Sequence, residues 1–211
     1  DAGRIGPDAA FEIGSVTKTM AAILLAERIL QGEVSLDDPL ADHLPDGTAV
    51  PAYEGQPILL RHLVTHTSGL PRLPSRLSMT NPGDPYADFD SAALLGSLED
   101  VTLAQAPGEA FEYSNFGSML LSLVVARQAG VDFERLLDER LFSPLGMKGA
   151  YVSSPPDGVR PAAGHLPNGE QTPPWTFADE LAGVGGVRAT LEDMVRYARA
   201  QLGGVDGALG E

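Results

Sequence analysis

A serine and a lysine lie three residues apart near the start of the sequence, in the tetrapeptide Ser15-Val16-Thr17-Lys18. Residues three apart in a helix share one face, so these two side chains can touch if the stretch is helical. A serine hydroxyl is a weak nucleophile until an adjacent base takes its proton, and a lysine can be that base when its pKa is lowered. The pair therefore predicts nucleophilic catalysis, with Ser15 attacking and Lys18 accepting the proton.

The residues around Lys18 predict a helix from about Val16 to Gln31, with Gly14 and Ser15 at its start. Its first two turns lack a polar face, which indicates a helix buried on most sides. Burial and the positive end of the helix dipole both lower the pKa of a lysine at this position. Such tetrapeptides are usually ordinary helix surface, but this one follows a glycine, precedes an apolar helix and contains one of only two lysines in the chain.

A second group of side chains precedes another predicted helix, in the stretch PGEAFEYSNFG. Pro107 and Gly108 predict a turn, and Ser114 or Asn115 can cap the helix that follows. A tyrosine beside a cap is often only packed, and asparagine is itself a common cap. The functional alternative is that Tyr113 and Asn115 project into a site, where the phenol shares proton transfer with an ammonium group.

Other kinds of site find less support. His62 and His66 are four residues apart, but the glutamate of a zinc-binding H-E-x-x-H motif and a third ligand are absent. Ser68 near His66 does not indicate a Ser-His-Asp triad, because no serine has the glycine two residues before it that a nucleophile elbow requires. The GVGGVR stretch at 183–188 lacks the third glycine of a dinucleotide fingerprint. We interpret both histidines as structural and Trp175 as a packing residue, and we expect no metal and no organic cofactor.

The composition excludes several classes of partner. The chain has 14 Lys and Arg against 29 Asp and Glu, a net charge of −15, which argues against nucleic acid and anionic membrane surfaces. There is no cysteine, so disulfides and thiolate metal sites are excluded. The longest apolar runs are too short to span a bilayer, and no signal peptide is recognised. These features predict an acidic globular protein.

Helices dominate the predicted secondary structure. Besides the first helix, the patterns predict helices at 57–65, 91–98, 115–129, 131–146 and 190–202. Asp132 is expected to cap the fourth of these five, and Thr190 with Asp193 to form a capping box at the last. Strand signals are limited to 10–13 and 150–153. Two long, proline-rich loops, at 68–90 and 153–175, complete the chain.

GSVTK at 14–18 and YSN at 113–115 together resemble motifs of the serine β-lactamase and penicillin-binding protein family. The similarity is greatest to its class C branch, with D-alanyl-D-alanine carboxypeptidases and related carboxylesterases. LRHLVTHTSGLPRLP, APGEAFEYSNFG, LFSPLGM and GVGGVRATLEDMVRYARA follow in the family's order, so the resemblance covers nearly the whole chain. It implies an α+β fold of the β-lactamase/transpeptidase type, here predominantly helical with an incomplete antiparallel sheet.

The resemblance also implies a role for each candidate residue. Ser15 would be the acylated nucleophile, and its backbone N–H would form half of an oxyanion hole. Lys18 would be the general base, and Tyr113 would help to deliver the proton to the leaving group. Asn115 would bind the amide of a substrate side chain. The implied reaction is hydrolysis of an amide or ester, either a β-lactam or a D-amino-acid peptide, through an acyl-enzyme.

The chain departs from the family in lacking the third motif, K-T-G or a variant such as H-T-G. We expect a single domain over 1–211, apparently truncated at both ends. Residues 1–50 and 161–211 would be remnants of the α/β part, and residues 51–160 the mainly helical part. The first helix would then lose the sheet that covers it, which predicts a homo-oligomer or a complementing chain on that surface.

Several functions remain open from the sequence. The first is a serine hydrolase acting on a small molecule or short peptide, and the second is a carboxylesterase of the same family. The third is a non-catalytic binder of β-lactams or peptidoglycan, or an inactive fragment without the third motif. Export to the periplasm or the exterior is implied by the resemblance alone.

Overall fold

The structure, a computed structural model, describes residues 5–78 and 80–203. More of these residues lie in helices than in strands, as the predicted, predominantly helical α+β fold requires. The helices are α1 (Thr17–Leu30), α2 (Leu60–Val64), α3 (Ser91–Glu99), α4 (Asn115–Ala129), α5 (Phe133–Leu137), α6 (Ser143–Leu145) and α7 (Leu191–Gln201). The strands are β1 (Ala9–Glu12), β2 (Ala52–Tyr53), β3 (Gln56–Pro57), β4 (Arg160–Pro161), β5 (Gly164–His165), β6 (Gln171–Thr172) and β7 (Arg188–Thr190). Within these ranges, no helix combines the length and apolar character needed to cross a membrane.

A small sheet lies beside the start of α1. Strand β1 is central, and it pairs in parallel with β4 and antiparallel with β7, where Phe11 stands opposite Ala189. The predicted incomplete sheet is therefore present, and one of its two pairings is parallel. The strand predicted at 150–153 is reduced to one antiparallel bridge between Tyr151 and Arg188. Strands β2–β3 and β5–β6 form two separate hairpins.

Helix α4 is the centre of the core. Every residue from Phe116 to Ala126 is buried, and the polar side chains in that run are two serines whose hydroxyls are bonded. Ser118 Oγ donates to the Ser114 carbonyl at 3.0 Å, and Ser122 Oγ accepts from the Gly183 N–H at 2.9 Å. A helix that is apolar on all sides is stable only when other elements surround it. Helices α1, α2, α3 and α5 pack around α4.

Helix α1 is buried or half-buried on most of its sides. Met20, Leu24 and Leu25 face the core. The exposed residues form one narrow stripe along the helix: Thr19, Ala26 and Leu30. The prediction that this helix is buried on most sides over the two turns after Lys18 therefore agrees with the structure, apart from that stripe. A single chain does not test the predicted oligomer or complementing chain, which stays a prediction.

The helix caps are partly as predicted. Thr190 and Asp193 form the predicted capping box at the start of α7. Asp132 precedes α5, but its side chain makes no capping bond. The first backbone N–H groups of α5 donate instead to the carboxylate of Asp179. This cap comes from a residue distant in sequence, so no local pattern identifies it.

Prolines explain two differences in helix boundaries. The helix predicted to start at Pro57 begins at Leu60, because Pro57 belongs to β3. The helix predicted at 131–146 is divided into α5 and α6 by a π-helical turn at Asp138–Phe142. Pro144 follows that turn, and a proline has no N–H with which to continue the regular α-helical bonding.

The two long loops pack against each other. The ring of Tyr86 in the first loop lies 5.3 Å from the ring of Trp175 and 4.8 Å from that of Phe177. The Asp84 carboxylate also accepts a hydrogen bond from the Thr176 N–H at 2.9 Å. Trp175 therefore packs, as predicted, even though 44% of its surface is exposed.

Replacing Asp193 with alanine is expected to destabilise the fold. Its buried carboxylate accepts from the Thr190 N–H at 2.9 Å, the Thr190 hydroxyl at 2.7 Å and the Gly149 N–H at 3.2 Å. Because all three donors lose their partner, the free energy of unfolding should fall by about 2–4 kcal/mol in a denaturant titration. Glu192→Ala is the matched control, since its exposed pair with Arg196 contributes at most ~0.5 kcal/mol. Equal losses in the two variants would contradict this account.

Candidate active site

The turn that carries Ser15 is fixed by the segment before β7. Gly14, with a φ of 52°, turns the chain out of β1 and into a short 3-10 turn ahead of α1, a conformation that glycine adopts without steric cost. The Ile13 N–H donates to the Val187 carbonyl at 3.1 Å. The Val187 N–H donates in turn to the Thr17 hydroxyl at 3.3 Å. These bonds hold Ser15 at the exposed N-terminal end of α1.

Ser15 Oγ lies within hydrogen-bond distance of two groups that can carry a proton. Lys18 Nζ donates to it at 3.1 Å, and the Tyr113 hydroxyl donates to it at 2.7 Å. Lys18 Nζ also donates to the Val184 carbonyl oxygen at 2.6 Å, so the amine is held between two acceptors. The fold thus brings together three of the four predicted site residues.

This arrangement sets a condition for activating the serine. Lys18 and Tyr113 both donate to the same oxygen, so Ser15 can transfer its own proton only after one of them has become basic. The pKa values of the two groups therefore decide at which pH the serine is activated.

Burial lowers the pKa of Lys18 below its usual range. The hydrogen bond and charge of Tyr113 partly oppose this effect, and the nearby charge of Arg72 lowers the pKa of Lys18 further. A lowered pKa increases the fraction of neutral amine, which is the form that accepts a proton. Both the direction and its main cause agree with the sequence-based expectation for Lys18.

The pKa of Tyr113 is also lowered. Burial raises it, but hydrogen bonds with Ser15 and Lys18 and the charges of Lys18 and Arg72 outweigh burial. Lys18 Nζ and the Arg72 guanidinium each lie 5.2 Å from the centroid of the Tyr113 ring. Two cations beside one phenol stabilise the phenolate. Either Lys18 or Tyr113 can therefore act as the base for Ser15.

His66 holds the segment on both sides of Tyr113. Its Nδ1 accepts from the Ser114 N–H at 3.2 Å, and its carbonyl accepts from the Glu112 N–H at 2.7 Å. The imidazole ring lies 4.5 Å from the Tyr113 ring, and the His66 backbone has a φ of 55°, which few residues other than glycine adopt. Burial, and then the charge of Lys18, lower the pKa of His66, which keeps Nδ1 unprotonated and able to accept.

A cavity of about 270 Å³ opens beside these groups. Its wall is mainly apolar and includes no carboxylate among the residues that the structure describes. It is lined by Ser15, Lys18, Thr19, Ala22, Leu63, Val64, His66, Tyr113, Ser118 and Leu121. A larger groove of about 760 Å³ lies beside α5. No predicted site residue lines that groove, so the smaller cavity is the candidate site.

Asn115 is the predicted site residue that does not line this cavity. It is the first residue of α4, and its side chain is hydrogen-bonded to Tyr86. Burial raises the pKa of Tyr86, and the bond with Asn115 opposes that rise. The Asn115 Oδ1 is buried and has no partner within the described ranges. Its role in binding a substrate amide stays a prediction.

Three contributors to the site were not identified from the sequence. The Val184 carbonyl is a backbone group, so its residue type carries no signal. His66 was interpreted as structural, and the structure adds that the segment it supports carries Tyr113. Arg72 is an isolated arginine in a loop, and only the folded chain brings it beside the Tyr113 ring.

Replacing His66 with phenylalanine should slow modification of Ser15 by a fluorophosphonate. The ring contact with Tyr113 is kept, but the Ser114 N–H loses its acceptor, and the displaced phenol should reduce the rate about tenfold. His66→Asn should restore part of the rate, because asparagine supplies an acceptor and tolerates a positive φ. His165→Phe, in exposed β5, is the control. A wild-type rate in the phenylalanine variant would show that the Nδ1 bond does not position Tyr113.

The chain is similar to known proteins over most of its length. A family model described as "Beta-lactamase" matches residues 1–209. The D-alanyl-D-alanine-carboxypeptidase/endopeptidase AmpH of Escherichia coli K12 is 34% identical over 196 residues, which is 92% of this chain and 49% of AmpH. The esterase EstB of Burkholderia gladioli is 32% identical over 168 residues, which is 74% of this chain and 42% of EstB. The chain thus spans about half the length of the curated relatives it matches.

A solved structure shares the fold of this chain. The D-alanine carboxypeptidase AmpC from Burkholderia cenocepacia matches with a TM-score of 0.76 at 30% identity, covering 98% of this chain and 54% of that one. The predicted α+β fold of the β-lactamase/transpeptidase type is therefore confirmed. All three relatives carry the name of a hydrolase: a carboxypeptidase/endopeptidase, an esterase and a D-alanine carboxypeptidase. Because the family model matches nearly every residue, this chain belongs to the Beta-lactamase family.

Proposed function

We propose that this chain carries the nucleophile and the acid/base groups of a serine hydrolase that forms an acyl-enzyme on an amide or ester. The observation that carries the proposal is the contact of Ser15 Oγ with Lys18 Nζ at 3.1 Å and with the Tyr113 hydroxyl at 2.7 Å. The cavity beside them offers room for a substrate. Membership of the family and the hydrolase names of its relatives support the same reaction class.

The reaction proceeds in two stages. In acylation, the basic form of Lys18 or Tyr113 takes the proton of Ser15 while Oγ attacks the carbonyl carbon. The backbone N–H of Ser15 stabilises the negative oxygen that forms. Tyr113 then gives a proton to the leaving nitrogen or oxygen as the bond between that atom and the acyl carbon breaks; where Lys18 took the serine proton, it passes that proton on to Tyr113. In deacylation, water attacks the acyl ester and the same groups move the protons in reverse.

The substrate class separates two forms of this proposal. A D-amino-acid peptide is supported by the likeness to AmpH, the carboxypeptidase/endopeptidase, and a β-lactam by membership of the Beta-lactamase family. A simple ester is supported by the likeness to EstB, an esterase. Hydrolysis of a short acyl ester compared with that of a cephalosporin distinguishes them. A stable adduct with no product release would instead indicate a binder that does not turn over.

Asn115 completes the proposed substrate-binding set. Its Oδ1 has no hydrogen-bond partner in the described part of the chain, so it retains an acceptor for the N–H of a substrate amide. The oxygen is buried, so binding there requires the residues around it to move. Simple esters without an amide would not use this residue.

Treatment with a fluorophosphonate should place one adduct on Ser15, seen by intact mass and located by peptide mapping. Lys18→Ala should slow labelling by about a hundredfold, because the serine loses a base that contacts it. Lys148→Ala is the control, since Lys148 is the chain's other lysine and is exposed. Circular dichroism checks that each variant is folded. An adduct at a different residue, or rapid labelling of the Lys18 variant, would refute the proposal.

The labelling rate should rise with pH as Lys18 loses its proton. Because burial lowers the pKa of Lys18, the rise is expected below pH 10.5, the ordinary value. Tyr113→Phe removes a group that raises the pKa of Lys18, so the rise should move to lower pH. The plateau rate should also drop by about 10- to 100-fold. Tyr53→Phe, in hairpin β2–β3, is the control, and a rise shifted to higher pH in Tyr113→Phe would contradict the assignment.

A further inference from the structure

A buried tyrosine of α7 is bonded to the first turn of α1. Tyr197 is 4% exposed, and its hydroxyl lies 2.6 Å from Thr19 Oγ1. The Thr19 hydroxyl donates its proton to the Val16 carbonyl at 2.7 Å. A threonine hydroxyl has only one proton, so the Tyr197 hydroxyl is the donor in the bond to Thr19. Two hydrogen bonds in series thus connect α7 to the carbonyl of the residue after Ser15.

The two residues that flank Lys18 are both threonines, and both are bonded to the segment that contains β7 and α7. On one side of Lys18, Thr17 Oγ1 accepts from the Val187 N–H at 3.3 Å. On the other side, Thr19 Oγ1 accepts from the Tyr197 hydroxyl. Val187 immediately precedes β7, and α7 follows β7 without a break. One continuous segment therefore holds α1 before and after Lys18.

This turn carries the groups whose alignment the proposed reaction needs. Lys18 Nζ donates to Ser15 Oγ at 3.1 Å, and the Ser15 N–H is the proposed oxyanion donor. Thr19 lines the cavity, whereas Tyr197 does not. Tyr197 therefore touches none of the reacting groups, and its effect on the reaction must pass through Thr19.

We propose that Tyr197 is a positioning residue for acylation of Ser15. Through Thr19 it fixes the first turn of α1, so that Lys18 Nζ stays aligned with Ser15 Oγ. This role rests on the proposed hydrolase function, and it adds to that function a residue of α7 that lies outside the cavity. A displacement of about 1 Å in a catalytic group can reduce a rate by about a hundredfold, so this bond affects the chemistry as well as the fold.

The bond from Tyr197 persists as the pH rises. Burial raises the pKa of Tyr197, and the hydrogen bond with Thr19 opposes only part of that rise. The phenol therefore stays mostly protonated up to pH 10, its ordinary pKa value. The pKa of Lys18 is shifted in the opposite direction. The opposite shifts favour a neutral amine on α1 beside a phenol that still donates.

Loss of the bond should change the pKa of Lys18. Burial is the largest cause of its lowered pKa, so a loosened turn that admits water should raise the pKa of Lys18 toward its ordinary value. The other groups that act on Lys18 or respond to its charge are Tyr113, Arg72 and His66, and all three are retained. The pH at which Ser15 labelling rises should therefore move upward. Reduced stability alone would lower the folded fraction without moving this midpoint.

The first test is the rate of Ser15 labelling by a fluorophosphonate in Tyr197→Phe, followed across pH by intact mass. Removing the hydroxyl should reduce the plateau rate about tenfold and move the midpoint to higher pH. Tyr151→Phe is the matched control, because Tyr151 is also 4% exposed and its buried hydroxyl has no hydrogen-bond partner within the described ranges. That variant should keep the rate and the midpoint of the wild type.

A double-mutant cycle tests the path through Thr19. Thr19 is exposed, so its variants do not depend on repacking of the core. Thr19→Val removes the acceptor and should slow labelling at least as much as Tyr197→Phe, whereas Thr19→Ser keeps the hydroxyl and should retain most of the rate. Adding Tyr197→Phe to Thr19→Val should not slow labelling further.

Three results would overturn the positioning role and leave the hydrolase proposal intact. They are a wild-type rate and midpoint in Tyr197→Phe, a loss of rate that follows the folded fraction at an unchanged midpoint, and losses that multiply in the double variant. Absence of a Ser15 adduct in the wild type would overturn both proposals.

Discussion

Gly183 packs so closely on helix α4 that a Cβ there would stand 2.7 Å from the Ser122 side chain. Only glycine allows this approach, and the Ser122 hydroxyl secures it by accepting from the Gly183 N–H. The next carbonyl along the chain, that of Val184, then reaches Lys18, and Val187 bonds to Ile13 and so fixes the turn ahead of α1. The geometry around the serine therefore depends on the contact between one glycine and one buried helix.

The charges of the site act as a coupled set. Lys18 and Tyr113 act on each other's pKa, and the charge of Arg72 lowers the pKa of both. His66 remains neutral beside them, because burial and then the charge of Lys18 lower its pKa. The low-dielectric wall of the cavity strengthens each of these interactions relative to water. Replacing Arg72 therefore alters the pKa of Lys18 and of Tyr113, even though no hydrogen bond to Ser15 is lost.

The parts of the site that are local in sequence could be predicted from it. Ser15 and Lys18 share one turn of a helix, and Tyr113 precedes a recognisable helix start, so residue type and spacing made them candidates and the resemblance to the family implied their roles. The long-range contributors could not be predicted in this way. The Asp179 cap, the Val184 carbonyl and Arg72 act through tertiary contacts that carry no periodicity.

The two hydrogen bonds that complete the site join residues 98 and 166 positions apart. Contacts with such large sequence separation close large loops, which raises the contact order and slows folding. A partly folded chain that has formed only α1 contains Ser15 and Lys18 on one turn but neither the phenol nor the backbone acceptor. If Ser15 has its proposed role, a nascent chain acquires a reactive serine only after the segment ending at Val187 has been synthesised and has docked, so that nucleophilicity at Ser15 arises together with the complete tertiary fold.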